Sequence, residues 1–307
     1  MEYILKTNNL NKSYKKHQVL TDVNITIKRG DIYGFVGENG SGKTTIIRLI
    51  TGLIFADSGD YELFNINSKS PDISKVRSRV GAIVESPSIY LNMSAKENLE
   101  MQARILGGVS QEKIIGVLKE VGLDYLYDQK KNAGNFSLGM RQRLGIAMAL
   151  LGDPEFLLLD EPMNGLDPAG IVEVRELILK LNKERGITFL ISSHILTELA
   201  LVATTYGIIS KGKIIKEITS TELEKVCKHS FTIKVDDKEK LLSLFPTGIE
   251  NADLYSIEDG IKIVGDVEIN KILNKIINAN VNIVSINTFK SSIEDYYLSL
   301  IGGNKNA

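Results

Sequence analysis

A short glycine-rich segment constrains the fold and chemistry of this chain more than any other feature. It follows an apolar run at 31–36 and opens a helical pattern, and it fits G-x-x-x-x-G-K-[ST]. The segment consists of Gly37, Glu38, Asn39, Gly40, Ser41, Gly42, Lys43 and Thr44. Glycines here let backbone N–H groups turn inward, and the N-terminus of the helix adds partial positive charge. The segment therefore predicts a phosphate-binding loop.

Three side chains at the start of the helix are candidates for contacts with a nucleotide. In loops of this kind Lys43 reaches the β- and γ-phosphates, and the Thr44 hydroxyl ligates Mg²⁺. Thr45 is placed to donate a hydrogen bond to the α-phosphate. The alternative is a chance glycine loop before a helix, and the preceding strand and following helix argue against it.

Two later apolar runs, and the segment between them, indicate a parallel sheet. The runs at Phe156 to Leu159 and Ile187 to Ile191 are almost uninterrupted, which is typical of strands covered on both faces. Between them, Pro168 to Arg185 predicts an amphipathic helix. Its apolar stripe contains Ile171, Val174, Leu177, Ile178 and Leu181. The order strand–helix–strand predicts an α/β core.

The remaining segments predict smaller elements around that core. The first thirty residues alternate in short runs separated by Asn, Asp and Gly, which favours antiparallel strands, and 72–151 is predicted to be mostly helical. After about Thr221 the order becomes β-α-β-β-α-β, which matches a ferredoxin-like unit, with a last helix at 293–301. The sequence thus predicts two domains, 1–220 and a small α+β domain at 221–307.

Polar side chains follow both apolar runs, at the sheet edge where ligands of open α/β sheets bind. Asp160 is placed to hold Mg²⁺ through water, and Glu161 is placed to orient or deprotonate an attacking water. His194 follows the second run and is a candidate γ-phosphate contact. The alternatives are a strand that simply ends in polar surface and an ordinary surface histidine.

Three further residues are weaker candidates because ordinary structural roles explain them as well. Asp167 before Pro168, and Ser137 before another helix, both fit N-caps, and Asp167 could also serve a subunit contact. Tyr14 could stack on adenine or be an edge-strand tyrosine.

Composition excludes several classes of protein. The formal net charge is −1, from 37 Lys and Arg against 38 Asp and Glu, so nucleic acid is not an expected partner. No apolar run reaches the roughly 18 residues of a membrane span, and residues 1–6 lack a charged-then-apolar leader pattern. The single cysteine, Cys227, cannot form an internal disulfide, which favours a reducing compartment.

The ordered set of motifs resembles the ATP-binding subunits of ABC transporters over roughly residues 1–220. The resemblance implies a P-loop nucleotide-binding domain with a RecA-like α/β core, an antiparallel β subdomain and a helical subdomain. It also implies ATP and Mg²⁺ as ligands and ATP hydrolysis as the activity. The implied roles are adenine stacking for Tyr14, Walker A for 37–44, Walker B for Asp160 and Glu161, the D-loop for Asp167 and the switch histidine for His194.

The signature region departs from the family pattern. Phe136-Ser137-Leu138-Gly139-Met140 stands where the family favours Leu-Ser-Gly-Gly-Gln, and Ser137 and Gly139 match. In the family, two such subunits sandwich two ATP molecules, with the Walker A loop of one facing the signature helix of the other. The implied partners are therefore a second copy of the chain and integral membrane permease subunits, at the cytoplasmic face of the bacterial membrane.

Glu85 stands where most family members have a glutamine that touches Mg²⁺ or its water and couples the site to the membrane subunits. The glutamate could strengthen metal binding, raise its own pKa if desolvated, or be a neutral exchange at a hinge. Together with Ser94 to Leu99 and the chain length, it is similar to the bacitracin-resistance and lantibiotic-immunity branch. That branch implies export of a peptide antibiotic, which the ATP-binding subunit does not itself bind.

Other interpretations stay open. The chain could serve an exporter of another drug, peptide or lipid-type substrate, or be a regulatory protein that hydrolyses ATP weakly. It could also be a soluble ABC ATPase that acts on ribosomes or DNA, although one cassette, no sustained heptads and near-neutral charge argue against this.

Overall fold

The computed structural model describes residues 2–226, 229–246, 248–250, 252–265, 267–290, 296–297 and 300. Two compact units make up the chain, Met1–Ser220 and Thr221–Ala307. Cys227 and most of the predicted last helix at 293–301 lie outside the described residues. Within the described part, no helix is both long and apolar enough to cross a lipid bilayer.

The first unit begins with four strands and then mixes helices and strands. In chain order they are β1 (Tyr3–Tyr14), β2 (His17–Val23), β3 (Thr26–Lys28), β4 (Ile32–Val36), α1 (Lys43–Thr51), β5 (Ser58–Leu63), β6 (Ile66–Asn67), α2 (Ile73–Arg77), β7 (Val80–Ile83), α3 (Ala95–Ile105), α4 (Gln111–Glu120), α5 (Leu138–Leu150), β8 (Phe156–Asp160), α6 (Pro168–Arg185), β9 (Thr188–Ser193), α7 (Leu196–Leu199), β10 (Thr205–Ser210) and β11 (Lys213–Thr219).

The central sheet of the first unit has six strands in the order β11-β10-β4-β9-β8-β7. All neighbours are parallel except β11, which pairs antiparallel with β10. Every residue of β4, β8 and β9 is buried, as strands covered on both faces require. The predicted parallel α/β core is confirmed, and the carboxyl ends of β4, β8 and β9 lie side by side at one edge.

A second, antiparallel sheet is built from the N-terminal strands. Its order is β2-β1-β5-β6, with β3 also paired to β1. Apolar side chains of β1, β2 and β5 are buried against α1 and α2 in one cluster, which includes Leu5, Leu20, Ile46 and Leu63. The predicted antiparallel strands of the first thirty residues are confirmed.

The prediction that 72–151 is mostly helical did not include one strand. Val80–Ile83 forms the strand β7, which pairs parallel with β8 at the edge of the central sheet. Four residues that include a glycine carry too little periodicity to predict a strand, and the exposed edge of β8 provides the hydrogen-bond partners that form it. The helices α3, α4 and α5 confirm the rest of the expectation.

The second unit has a four-stranded antiparallel sheet in the order β13-β14-β12-β15. Its elements are α8 (Ser220–Val226), β12 (His229–Val235), α9 (Lys238–Ser243), β13 (Ala252–Ile257), β14 (Gly260–Gly265), α10 (Ile269–Asn278) and β15 (Ile283–Lys290). Side chains of α9 and α10 share a core with β12 and β14, through Leu241, Ile276, Ile233 and Ile261. From β12 onward, the element order and strand order are those of the predicted ferredoxin-like unit.

Candidate functional site

The phosphate-loop motif forms a tight turn between β4 and α1. Gly42 has φ 111°, which L side chains rarely adopt, and a Cβ there would lie 2.5 Å from Leu20 Cδ2. A Cβ at Gly37 would lie 2.5 Å from the Ile209 carbonyl oxygen. The sequence needs glycine at both positions because β2 and β10 pack directly against the loop.

The loop contains a buried hydroxyl and leads into a helix N-terminus that no side chain caps. Ser41 is 4% exposed, and its Oγ has no hydrogen-bond partner among the described residues. α1 has no acidic residue in its first turn, and no side chain caps it. Buried polar groups are normally paired. A buried hydroxyl without a partner, beside an uncapped helix N-terminus, is therefore typical of a site that binds an anion.

Lys43 is buried at the base of the loop. Its side chain is 5% exposed, and its Nζ donates hydrogen bonds to the carbonyl oxygens of Gly37 at 2.7 Å and Glu38 at 3.1 Å. The same Nζ lies 3.4 Å from Glu161 Oε1. A buried ammonium is stabilised by these acceptors, and its charge remains available to a phosphate at the loop.

Thr44 and Asp160 bring two oxygens together at the edge of the sheet. The Thr44 hydroxyl donates to Asp160 Oδ2 at 2.7 Å, and Ser192 Oγ donates to the other carboxylate oxygen. Asp160 pairs with Ser192 across the parallel strands β8 and β9, so the register of the sheet holds this carboxylate in place. Hydroxyl and carboxylate oxygens are suitable ligands for Mg²⁺.

Glu161 and His194 meet beyond the ends of the same two strands. His194 Nδ1 lies 2.7 Å from Glu161 Oε2, and the Glu161 side chain is 20% exposed. Glu161 has φ 48°, and its backbone N–H donates to both the carbonyl oxygen and Oγ of Ser192. Ser192 therefore helps to hold Glu161 in an uncommon backbone conformation.

A second carboxyl lies near this pair. Burial raises the pKa of the Glu198 carboxyl, an effect that His194 opposes and the charge of Glu161 reinforces. Glu198 belongs to α7, which follows β9 directly. Two acidic groups and one histidine therefore follow the carboxyl ends of the neighbouring strands β8 and β9.

The other predicted residues form a separate group at the start of α5 and α6. Ser137 caps α5 by accepting from the Met140 N–H, and Asp167 caps α6 by accepting from the Gly170 N–H. A Cβ at Gly139 would lie 3.5 Å from Gly170 Cα, so the two helices approach closely here. Both N-cap interpretations are confirmed.

Tyr14 and Glu85 have partners outside both groups. Tyr14 is 42% exposed, pairs with His17 in a β-hairpin, and has Lys12 Nζ 5.9 Å from its ring centroid. Glu85 follows β7, and its Oε1 lies 2.5 Å from Arg48 Nη2. The Glu85 side chain is 64% exposed, so it is not desolvated.

Sequence reasoning missed three residues, Ser192, Arg48 and Glu198. Ser192 directly follows the apolar run at Ile187 to Ile191, which is a usable signal once β8 and β9 are known to be neighbours. No such signal identifies Arg48 or Glu198, because the residues that act on them, Glu85 and Glu161, are distant in the sequence.

Comparison with known proteins agrees with this geometry. A family model described as ABC transporter matches residues 20–164. The chain is also 43% identical over 305 residues to the bacitracin transport ATP-binding protein BcrA of Bacillus licheniformis, and the alignment covers 99% of each protein. This chain belongs to the family of ABC transporter ATP-binding proteins. As a member of that family it binds ATP and is an ATPase.

Further relatives and solved ABC structures support the same assignment. The lantibiotic transport ATP-binding protein SrtF of Streptococcus pyogenes is 44% identical over 214 residues, which are 70% of this chain and 90% of SrtF. The structure of cbiO1 from Clostridium perfringens matches with a TM-score of 0.65 and 28% identity, over 73% of this chain and 91% of cbiO1. The MJ0796 cassette, a dimer bound to ADP and Pi, matches with a TM-score of 0.63 and 26% identity, over 70% of this chain and 98% of that one. The predicted family and ABC fold are confirmed.

Proposed function

We propose that this ABC ATPase powers a separate membrane permease that exports a peptide antibiotic of the bacitracin or lantibiotic kind. The export would give resistance or producer self-immunity. The observation that carries this proposal is the 43% identity to a bacitracin transport protein along 99% of the chain. The match to SrtF adds a lantibiotic transport protein to the same branch. The permease supplies the membrane path, and this chain supplies the ATPase.

The phosphate loop and its neighbours bind the nucleotide in this proposal. Backbone N–H groups of 37–44 and the N-terminus of α1 surround the phosphates, and Lys43 neutralises the β- and γ-phosphates. The unpartnered Ser41 hydroxyl supports this role, because a phosphate oxygen would satisfy it. Thr45 contacts the α-phosphate, and Tyr14 stacks on adenine.

Thr44 and Asp160 fit a Mg²⁺ ion, with Glu85 as a further oxygen ligand. The described residues contain no group of three or more His, Cys, Asp or Glu side chains that could hold a metal alone. A site completed by phosphate oxygens fits this donor set. When bound, Mg²⁺ neutralises charge on the phosphates.

Glu161 and His194 carry the hydrolytic chemistry. Glu161 orients a water and takes its proton as the water oxygen bonds to the γ-phosphorus, and the bond from that phosphorus to the β–γ bridging oxygen breaks. His194 holds the Glu161 carboxylate by the 2.7 Å contact and reaches the γ-phosphate. The products are ADP and phosphate.

A second copy of the chain completes each site. Ser137, Gly139 and Asp167 lie at the start of α5 and α6, in a group apart from the phosphate loop. We propose that the N-terminus of α5 faces the γ-phosphate bound by the partner copy. The chain would then act as a homodimer attached to the permease at the cytoplasmic face of the membrane. Neither nucleic acid nor the exported peptide binds this chain.

A resistance assay tests the proposal. A strain that lacks this chain is complemented with the wild type, Glu161→Gln or Lys43→Ala, and the inhibitory concentrations of bacitracin and a lantibiotic are measured. We expect only the wild type to restore tolerance. Wild-type tolerance with Glu161→Gln would contradict the ATP-driven mechanism. Loss of tolerance to an unrelated drug alone would favour the alternative, an exporter of another substrate.

A further inference from the structure

The ion pair between Arg48 and Glu85 connects the helix that follows the phosphate loop to the segment that follows β7. Arg48 belongs to α1, the helix that begins with Lys43, and Glu85 follows the edge strand β7. Arg48 Nη2 lies 2.5 Å from Glu85 Oε1. Both side chains line a cavity of about 650 Å³, so the Glu85 side chain has room to leave Arg48.

The backbone at Glu85 is strained. Glu85 has φ 63°, and the Ser86 N–H donates to the Val84 carbonyl oxygen at 2.7 Å. This bond closes a three-residue γ-turn of the rare positive-φ kind around Glu85. A non-glycine residue persists in such a turn only when its surroundings hold it there. The carboxylate of Glu85, the central residue of this turn, contacts Arg48.

The helix geometry relates this contact to the Thr44–Asp160 pair. Thr44 and Arg48 are four residues apart in α1, so they lie on the same face of the helix, about 6 Å apart along its axis. The Thr44 hydroxyl bonds to Asp160 at 2.7 Å. Arg48, the residue that contacts the Glu85 carboxylate, thus lies about one helical turn along α1 from Thr44.

We infer that Arg48 is a positioning residue that restrains Glu85 and so limits the contribution of its carboxylate to the Mg²⁺ site. The inference rests on the proposed function, since it assumes that Mg²⁺ binds at Thr44 and Asp160. The arginine offsets the charge that glutamate adds at this position and keeps the strained turn closed. When the restraint is lost, the carboxylate contributes more fully as the hard oxygen ligand proposed above.

A binding measurement tests this inference without relying on turnover. The full chain is titrated with Mg²⁺ in the presence of a fluorescent ATP analogue, and the Mg²⁺ concentration for half-maximal nucleotide binding is recorded. We expect Arg48→Gln to lower that concentration about fivefold, the size of effect that one exposed ion pair supports. Arg48→Lys, which keeps the positive charge, is the matched control and should stay close to the wild type.

The double variant decides whether the effect passes through Glu85. In a Glu85→Gln background, Arg48→Gln should leave the half-saturating Mg²⁺ concentration where Glu85→Gln alone puts it. An equal shift in both backgrounds, or no shift with Arg48→Gln, would overturn the inference. Arg48→Met repeats the test with a second uncharged side chain, and melting curves establish that each variant is folded.

The wild type and Lys43→Ala separate this failure from failure of the proposed function. If the wild type shows no Mg²⁺-dependent nucleotide binding beyond that of Lys43→Ala, the proposed nucleotide site is wrong. If the wild type binds and only the Arg48 variants behave differently from expectation, the site stands and the role of Arg48 is wrong.

Discussion

His194 Nδ1 lies 2.7 Å from Glu161 Oε2, although 33 positions separate the two residues in the chain. The other oxygen of Glu161 lies 3.4 Å from Lys43 Nζ. One carboxylate therefore contacts a histidine on one side and a buried ammonium on the other. This arrangement holds Glu161 in one orientation, which a residue that positions a water requires.

Replacing Glu161 by glutamine should separate ATP binding from hydrolysis. Glutamine keeps the shape but cannot accept the proton of the water, so we expect turnover to fall about a hundredfold or more, with ATP binding retained. Phosphate release and equilibrium nucleotide binding measure the two effects. Glu176→Gln, at an exposed position of α6, is the control. Turnover within threefold of the wild type would exclude Glu161 as the base.

Removing the His194 ring should affect turnover more than substrate binding. We expect His194→Ala to lower kcat about tenfold to a hundredfold, because Glu161 loses its 2.7 Å partner and the γ-phosphate loses a contact. Steady-state kinetics at several ATP concentrations give kcat and KM separately. A rise in KM with kcat unchanged would instead assign His194 to binding alone.

Replacing Ser41 by alanine should weaken nucleotide binding without weakening the fold. The buried Oγ has no hydrogen-bond partner in the described part of the chain, so its removal should leave the free energy of unfolding within about 0.5 kcal/mol. Loss of a phosphate contact should raise the Kd for ATP about fivefold to tenfold. Urea unfolding and nucleotide titration provide the two values. A destabilised protein with unchanged affinity would mean that the hydroxyl serves the fold.

A bulky acidic side chain at Gly139 should block ATP-dependent dimerisation. Gly139→Glu, made in the Glu161→Gln variant, places negative charge at the N-terminus of α5, where a partner's γ-phosphate is proposed to bind. We expect the Glu161→Gln protein to elute as a dimer with Mg-ATP and the double variant to elute as a monomer that still binds ATP. Dimers of both proteins would argue against the composite site.

The carboxyl of Glu155 should make stability depend on pH. Hydrogen bonds from Arg79 and Arg29 lower the pKa of Glu155 to about 2, although burial opposes this. The stabilisation is present above the unfolded pKa of 4.5 and is lost as the pH falls towards 2. Because the side chain is 38% exposed, we expect Glu155→Gln to cost only about 1 kcal/mol at pH 7. The cost should shrink at pH 3.

Urea unfolding at both pH values measures the Glu155 effect. Glu184→Gln, at another exposed position of α6, is the control for a general change in charge. An equal cost for Glu155→Gln at pH 7 and pH 3 would contradict the lowered pKa.

The sequence by itself determined the phosphate loop, the buried strands and the two acids that end β8. These features depend on short-range rules: glycine where the backbone must turn, continuous apolar runs where strands are covered, and polar residues where strands end. The ferredoxin-like order of the second unit was predictable for the same reason. The signals lie within single elements, so no knowledge of distant neighbours is needed.

Only the tertiary structure decided how those elements meet. The strand β7 forms because β8 offers it a partner edge, and Ser192 reaches Asp160 because β8 and β9 are neighbours in register. The Arg48–Glu85 pair joins residues 37 positions apart on a helix and a strained turn. Such contacts depend on strand order and helix orientation, and these follow from burial of the whole core rather than from any local pattern.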